Sequence, residues 1–289
     1  MNIISSLKSD KYIVDLAKLG IRTFLINDED FSSGIDYVGR SQQKQLIEKI
    51  HNAGCRAYFR VDRLYSEEEL TSLEQYLDYL DGINADGVLF SDVAVYMLIK
   101  KDNLSLKTLY APETLLTNKY DIKELKKEGF DGCVISKDIP LDDVFSIVDD
   151  IKDYCYLRIH GPVLVSYSAR KFISVYTAED KPHTDGYYLV EETRPLHMPI
   201  VEKKSGSWLY AECIESTHEI NDLINKPFKG LIIDDVLAEE EYMVKTVEIY
   251  VDILNGLDSG EGYRRLIEMD ENKTYSSLSQ IKKTILDKE

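Results

Sequence analysis

Hydrophobic residues along this chain fall into short continuous runs that alternate with longer stretches in which they recur every three or four positions. The runs are Asn2–Ile4, Thr23–Ile26, Arg56–Val61, Gly87–Phe90, Thr108–Ala111, Gly132–Ser136, Tyr156–His160 and Gly230–Ile233, and each predicts a strand. The intervening periodicity predicts helices over Ser9–Leu19, Gln42–Ala53, Ser66–Leu80, Val93–Lys101, Tyr120–Glu128, Leu141–Ile151, Ser216–Asn225 and Glu239–Leu254. Apolar strands separated by amphipathic helices imply a parallel sheet covered by helices. Four junctions share one form, with Gly20, Gly87, Gly132 and Gly230 each followed by an apolar run, and they read as exits from a helix into a strand. Eight repeats of this unit predict a (β/α)8, TIM-barrel-like α/β fold; with no Gly-x-Gly-x-x-Gly after the first strand, the open doubly wound sheet is disfavoured.

One stretch breaks the rhythm. From Pro162 to Cys213 the chain is rich in Tyr, Ser and charge, with alternating runs at Gly186–Val190, Met198–Val201 and Trp208–Glu212 and a hairpin turn at Lys203–Ser207. It predicts a β-rich insertion after the seventh strand, on the barrel's C-terminal face. The expected organisation is therefore a barrel over 1–254, including the insertion 162–213, and a helical tail over 255–289.

Composition narrows the function. A length of 289 residues suits one such barrel. The apolar runs are too short to span a bilayer and the N-terminus lacks a secretory pattern, so a cytoplasmic protein with no membrane partner is expected. A formal net charge of −17 works against a direct grip on a nucleic-acid backbone. Cys55, Cys133, Cys155 and Cys213 show neither Cys-x-x-Cys nor zinc spacing and read as buried thiols.

Candidate chemistry gathers at the strand ends. His160 offers a general base, a ligand or a hydrogen-bonding anchor. Ser166 and Ser168 would serve as nucleophiles only with a base in reach, and no Gly-x-Ser-x-Gly elbow surrounds them. Arg170 and Lys171 could hold a carboxylate, a phosphate or an acidic segment. Asp62, Asp92, Glu113, Asp234 and His160 would converge on one rim and could in principle coordinate a cation, although Ser91-Asp92 reads better as a helix cap and no metal site is expected. Tyr154, Tyr156, Tyr167, Tyr176, Tyr187 and Tyr188 crowd the insertion and suit an interface or a stacking surface.

The stretch His160-Gly161, four residues, Ser166-Tyr167-Ser168, Arg170 and Ser174 resembles the signature of the collagenase-like peptidase family, peptidase family U-32. Ile233-Asp234-Asp235 with Glu241-Tyr242 and Tyr250 is similar to the family's Lys-Ile-Glu-Gly strand end and the helix after it. Ala111-Pro112-Glu113-Thr114 with Asn118 is a weaker match to a third motif. The resemblance implies a barrel, with His160, Ser166 and Ser168 as catalytic candidates and Gly161, Tyr167, Arg170, Glu113, Asn118 and Asp234 as ligand-binding ones. Catalytic members carry cysteines inside the His-Gly signature, as ligands of an iron–sulfur cluster; the corresponding positions here are Leu164 and Lys171. The chain thus resembles the family's short paralog. This implies an accessory subunit without its own cofactor, bound to a longer, cluster-bearing paralog in prephenate-dependent 5-hydroxylation of uridine-34 in tRNA, with tRNA reached only through the complex. The alternatives are a collagenase-like peptidase and a stand-alone barrel that binds a small carboxylate or phosphate.

Overall fold

The computed structural model describes residues 2–191, 194–271 and 273–278. Strands β1 (Asn2–Leu7), β2 (Ile21–Ile26), β3 (Arg56–Val61), β4 (Gly87–Phe90), β5 (Lys107–Tyr110), β6 (Gly132–Val134) and β7 (Cys155–Ser168) pair in parallel in that order. The ring is closed by β11 (Gly230–Ile233), which pairs in parallel with β7 on one side and β1 on the other. Around it lie α1 (Ile13–Lys18), α2 (Arg40–Asn52), α3 (Leu70–Gly82), α4 (Val93–Lys101), α5 (Lys119–Glu128), α6 (Leu141–Asp150), α8 (Ile220–Leu223) and α9 (Glu240–Leu254). This is the expected (β/α)8 barrel with extra strands outside the ring.

Strand alternation divides the core in two. Ile4, Leu25, Tyr58, Leu89, Leu109, Tyr156 and Ile232 fill the barrel interior. Phe24, Ile26, Phe59, Val61, Val88 and Phe90 face outward into the larger cluster beneath the helices. The glycines that open three strands have a different purpose from the one expected. Only Gly20 of the four has a positive φ, +101°. A Cβ on Gly87 would lie 2.8 Å from the Tyr58 ring, and on Gly132 or Gly230 it would lie 2.9 or 2.7 Å from the two edges of the Tyr156 ring. These residues make room for two tyrosines that plug the barrel floor.

The insertion starts within β7 itself, which was expected to stop at His160. Gly161 (φ +139°) turns the strand, and its far half pairs antiparallel with β10 (Gly206–Glu215), from Pro162↔Cys213 out to Ser168↔Ser207. Beyond β7 come α7 (Phe172–Thr177), β8 (Tyr188–Glu191) and β9 (Arg194–Lys203), and the expected hairpin joins β9 to β10. Val201, Trp208 and Tyr210 pack with Val236 and Ile35, so this second sheet sits on the loops that follow β11 and β2. The segment beyond Leu254, expected to be helical, holds α10 (Ser259–Met269) and also β12 (Tyr275–Ser277), which pairs in parallel with β10. Residues 279–289 of the expected tail lie outside the described residues.

Candidate functional site

Two groups of buried polar side chains meet at the C-terminal end of the barrel. The first fills the mouth. Arg60, on β3, follows Tyr58 on the inward face and is 1% exposed. Its guanidinium donates to Asn27 Oδ1 (3.0 Å) and Asp62 Oδ2 (2.9 Å), and also to Asp234 Oδ2. Burial works against the charge, but Asp234 and Asp62 outweigh it and hold the guanidinium above its ordinary range. Arg158 donates to Glu113 Oε1 (3.1 Å), and Lys137 lies 3.9 Å from the other oxygen of Glu113. Ser33 donates to Asp62 through both its N–H (2.8 Å) and its hydroxyl (2.7 Å). Lys203 reaches down from the second sheet to the carbonyls of Ser32 (2.8 Å) and Gly34 (3.0 Å), and burial lowers its pKa to about 8. Asp234 Oδ1 and Arg158 Nε are buried here without a hydrogen-bond partner. The mouth therefore holds several buried charges and keeps one spare acceptor, at Asp234, and one spare donor, at Arg158.

The second group lies on the outer side of the same strand ends. A bulge sets Ile232 opposite Arg158 but Ile233 opposite His160, so Ile159 is the extra residue and His160 is re-aimed away from the barrel axis. Its Nε2 lies 3.7 Å from Cys213 Sγ and 3.2 Å from the Tyr242 hydroxyl. Its Nδ1 lies 3.5 Å from the Tyr250 hydroxyl. That hydroxyl donates to the Ile159 carbonyl (3.1 Å) and accepts from the Ser216 N–H (2.9 Å). Asp235 Oδ1 accepts from the N–H groups of Leu237 (2.9 Å) and Ala238 (3.1 Å); Oδ2 pairs with Lys273 and lies 3.9 Å from Cys213 Sγ. Burial drives the His160 pKa down to about 3 and pushes the Cys213 thiol well up, so both are neutral. Burial also opposes ionisation of Asp235, but Lys273 outweighs it and keeps the carboxyl below its ordinary value.

The structure brings some of the expected residues together and separates others. Glu113 and Asp234 share the mouth; His160 occupies the outer group, not the rim. Gly161 is the pivot of β7, and a Cβ there would come within 1.9 Å of the Asp234 carbonyl oxygen. Ser166 is exposed and Ser168 half-buried on the far half of β7, in the second sheet. Tyr167 donates to the Ser205 carbonyl (3.0 Å) and packs on Trp208, while Arg170 is exposed at the turn after β7. Asn118 caps α5, accepting from the N–H groups of Tyr120 (3.0 Å) and Asp121 (3.2 Å). Asp92 caps α4 as expected, accepting from the Ala94 N–H (2.9 Å). Of the five groups considered for a cation, Asp62, Glu113 and Asp234 share the mouth, while Asp92 and His160 lie outside it. Asp62 and Asp234 are held by Arg60, Glu113 by Arg158, and Asp92 by backbone N–H groups. Arg60, Arg158 and Cys213 were missed. The signal for Arg60 was its period-two spacing from Tyr58 and Asp62.

The family described as Peptidase family U32 matches residues 36–288, and the chain belongs to that family. It is 24% identical to tRNA hydroxylation protein P2 of Bacillus subtilis over 82% of this chain and 80% of that protein. It is 23% identical to tRNA hydroxylation protein P1 of the same organism over 57% of this chain but only 42% of that protein. The solved structure of the U32 peptidase Mk0906 superposes with a TM-score of 0.54 at 11% identity, covering 81% of this chain and 92% of that one, and shares the fold.

The resemblance implies cluster-ligating cysteines at the positions of Leu164 and Lys171. Leu164 packs against the apolar cluster under the second sheet, and the Lys171 ammonium pairs with Asp180 at 2.8 Å. The four cysteines are free and buried, with Cys133 and Cys155 paired on adjacent barrel strands. Among the described residues no helix is long and apolar enough to cross a membrane.

Proposed function

We propose that this chain is a cluster-less subunit that acts beside a longer, cysteine-bearing member of its family in prephenate-dependent hydroxylation of uridine-34 of tRNA. The observation that carries this reading is where the exposed apolar side chains lie. Among the described residues, seven of the fifteen exposed large apolar side chains (Val165, Phe172, Val175, Tyr176, Tyr188, Leu189 and Val190) belong to the insertion, which is under a fifth of the chain. So much apolar surface on one subdomain suits a protein partner. Similarity to hydroxylation proteins P2 and P1 supports the reaction class, and the net charge of −17 supports tRNA contact through the partner. The spare Arg158 Nε–H in the mouth supports a small carboxylate as ligand there, whether the chain acts in a complex or alone.

The peptidase reading has less behind it. Ser166 and Ser168 stand on the second sheet, and the nitrogens of His160 face Tyr242, Tyr250 and Cys213. Co-expression with a longer family member from the same genome tests the subunit reading. One complex of fixed stoichiometry is expected, broken by Val175→Asp with Tyr176→Asp. Separate elution of the unaltered chains contradicts it.

A further inference from the structure

We propose that His160 Nε2, Cys213 Sγ and Asp235 Oδ2 form a mononuclear site for a divalent transition-metal ion of the zinc type. The three ligand atoms lie within 4.8 Å of one another and all three residues are buried. The Nε2···Sγ and Sγ···Oδ2 separations are 3.7 and 3.9 Å. With metal–ligand bonds of about 2.0–2.3 Å, a tetrahedral ion needs its ligands roughly 3.3–3.6 Å apart, so the two separations to Cys213 Sγ need only a few tenths of an ångström of contraction, and the carboxylate must swing toward the imidazole to complete the set.

The surroundings are arranged as a metal's would be. Tyr250 donates to a carbonyl, so its oxygen accepts from His160 Nδ1; this assigns the tautomer whose Nε2 lone pair faces Cys213 and the Tyr242 hydroxyl, which a bound ion would displace from it. Two backbone N–H groups fix Asp235 Oδ1 and leave Oδ2 facing the thiol. Cys213 and Asp235 line a cavity of about 840 Å³, bordered also by Pro162, Tyr187, Tyr242, Met269 and Lys273. Three protein ligands beside a cavity match an exchangeable site more than a closed structural one. On binding, the Cys213 thiol becomes a thiolate and its proton leaves to solvent.

A cation already sits beside the carboxylate. The Lys273 ammonium pairs with Asp235 Oδ2 and lies 3.9 Å from the centre of the Tyr242 ring. Metal and ammonium therefore compete for one oxygen. This separates a metal site from a plain buried ion pair.

The test is titration of the full chain, treated with a chelator and then dialysed, with Co2+. One equivalent should produce a thiolate-to-cobalt charge-transfer band in the near ultraviolet together with the visible bands of a four-coordinate ion, and Zn2+ should abolish both. Cys213→Ser should remove the near-ultraviolet band with the fold intact by circular dichroism. Lys273→Ala should tighten binding at least tenfold. Absence of the band in the unaltered chain overturns the proposal, as does a band that survives Cys213→Ser or an affinity that Lys273→Ala leaves unchanged or weakens. The result does not depend on whether the chain is a subunit.

Discussion

Asp234 and Asp235 are neighbours in sequence and stand in two different chemistries. Asp234 continues the inward face of β11 and is clasped by Arg60, in a mouth where three cations (Arg60, Arg158, Lys137) meet three carboxylates (Asp62, Glu113, Asp234). Asp235 faces outward, toward an uncharged thiol and imidazole and a ring of tyrosine hydroxyls, with the Lys273 ammonium beside it. A shift of one residue along a strand exchanges faces, and here it separates a site built for charge from a site built of softer donors. On β7 the same separation takes a bulge, which sends Arg158 into the mouth and His160 out of it. The two centres share strand ends but have separate walls, so each can be perturbed alone.

The substitution with the largest expected effect removes both. Gly161→Ala would drive a Cβ into the Asp234 carbonyl from a backbone at φ +139°. Displacing the end of β11 moves both aspartates, and a loss above about 4 kcal/mol is expected, measured by urea unfolding. Arg60→Leu should strip the mouth alone. It leaves Asp62 and Asp234 buried without their cation and should cost about 3–5 kcal/mol, with the Co2+ response at His160 intact in the folded fraction. If that response disappears with the fold preserved, the two centres are not independent.

Lys203 gives a smaller effect with a definite sign. Burial sets its folded pKa at about 8, against an ordinary value of 10.5. Between those values the unfolded chain binds more protons than the folded one. The lysine's contribution to stability therefore rises with pH across that window and is lost as pH falls through 8. Unfolding of the unaltered chain compared with Lys203→Met should show a relative gain approaching about 1.4 kcal/mol per pH unit from pH 8 to 10.5. A flat difference would mean that the lysine stays protonated under the second sheet. Smallest is Asn118→Ala, outside both centres, where loss of a helix cap should cost about 1 kcal/mol in thermal unfolding and leave Co2+ binding unchanged.

Much of the architecture was legible because burial on both faces leaves a plain record in strands. Arg56–Val61, Gly87–Phe90 and Gly230–Ile233 form with the bounds their apolar runs predict. The pattern misled where a tertiary partner overrides local grammar. Gly161-Pro162 reads as a stop, yet β10 recruits those residues into a 14-residue strand. Gly87, Gly132 and Gly230 read as helix exits, whereas their task is to clear space for tyrosines from neighbouring strands.

The site divides along the same line. Glu113, Asp234 and His160 stand at strand ends, where position alone marks them. Arg60 and Arg158 were hidden inside apolar runs, because a charge buried on the barrel axis interrupts hydrophobicity without announcing its partners. Cys213 is 53 residues from His160, and no spacing rule spans a distance that only the antiparallel pairing of β7 with β10 closes. Ser166, Ser168, Tyr167 and Arg170 belong to the signature by sequence, but that same pairing carries them out along the second sheet.

The proposed function needs a barrel that keeps its family's His-Gly scaffold and binds no cluster of its own. Iron and acid-labile sulfide, measured together on the chain purified without oxygen, test this directly. The account predicts no labile sulfide, with any bound metal at one ion per chain and lost in Cys213→Ser. Stoichiometric iron with matching sulfide would contradict it.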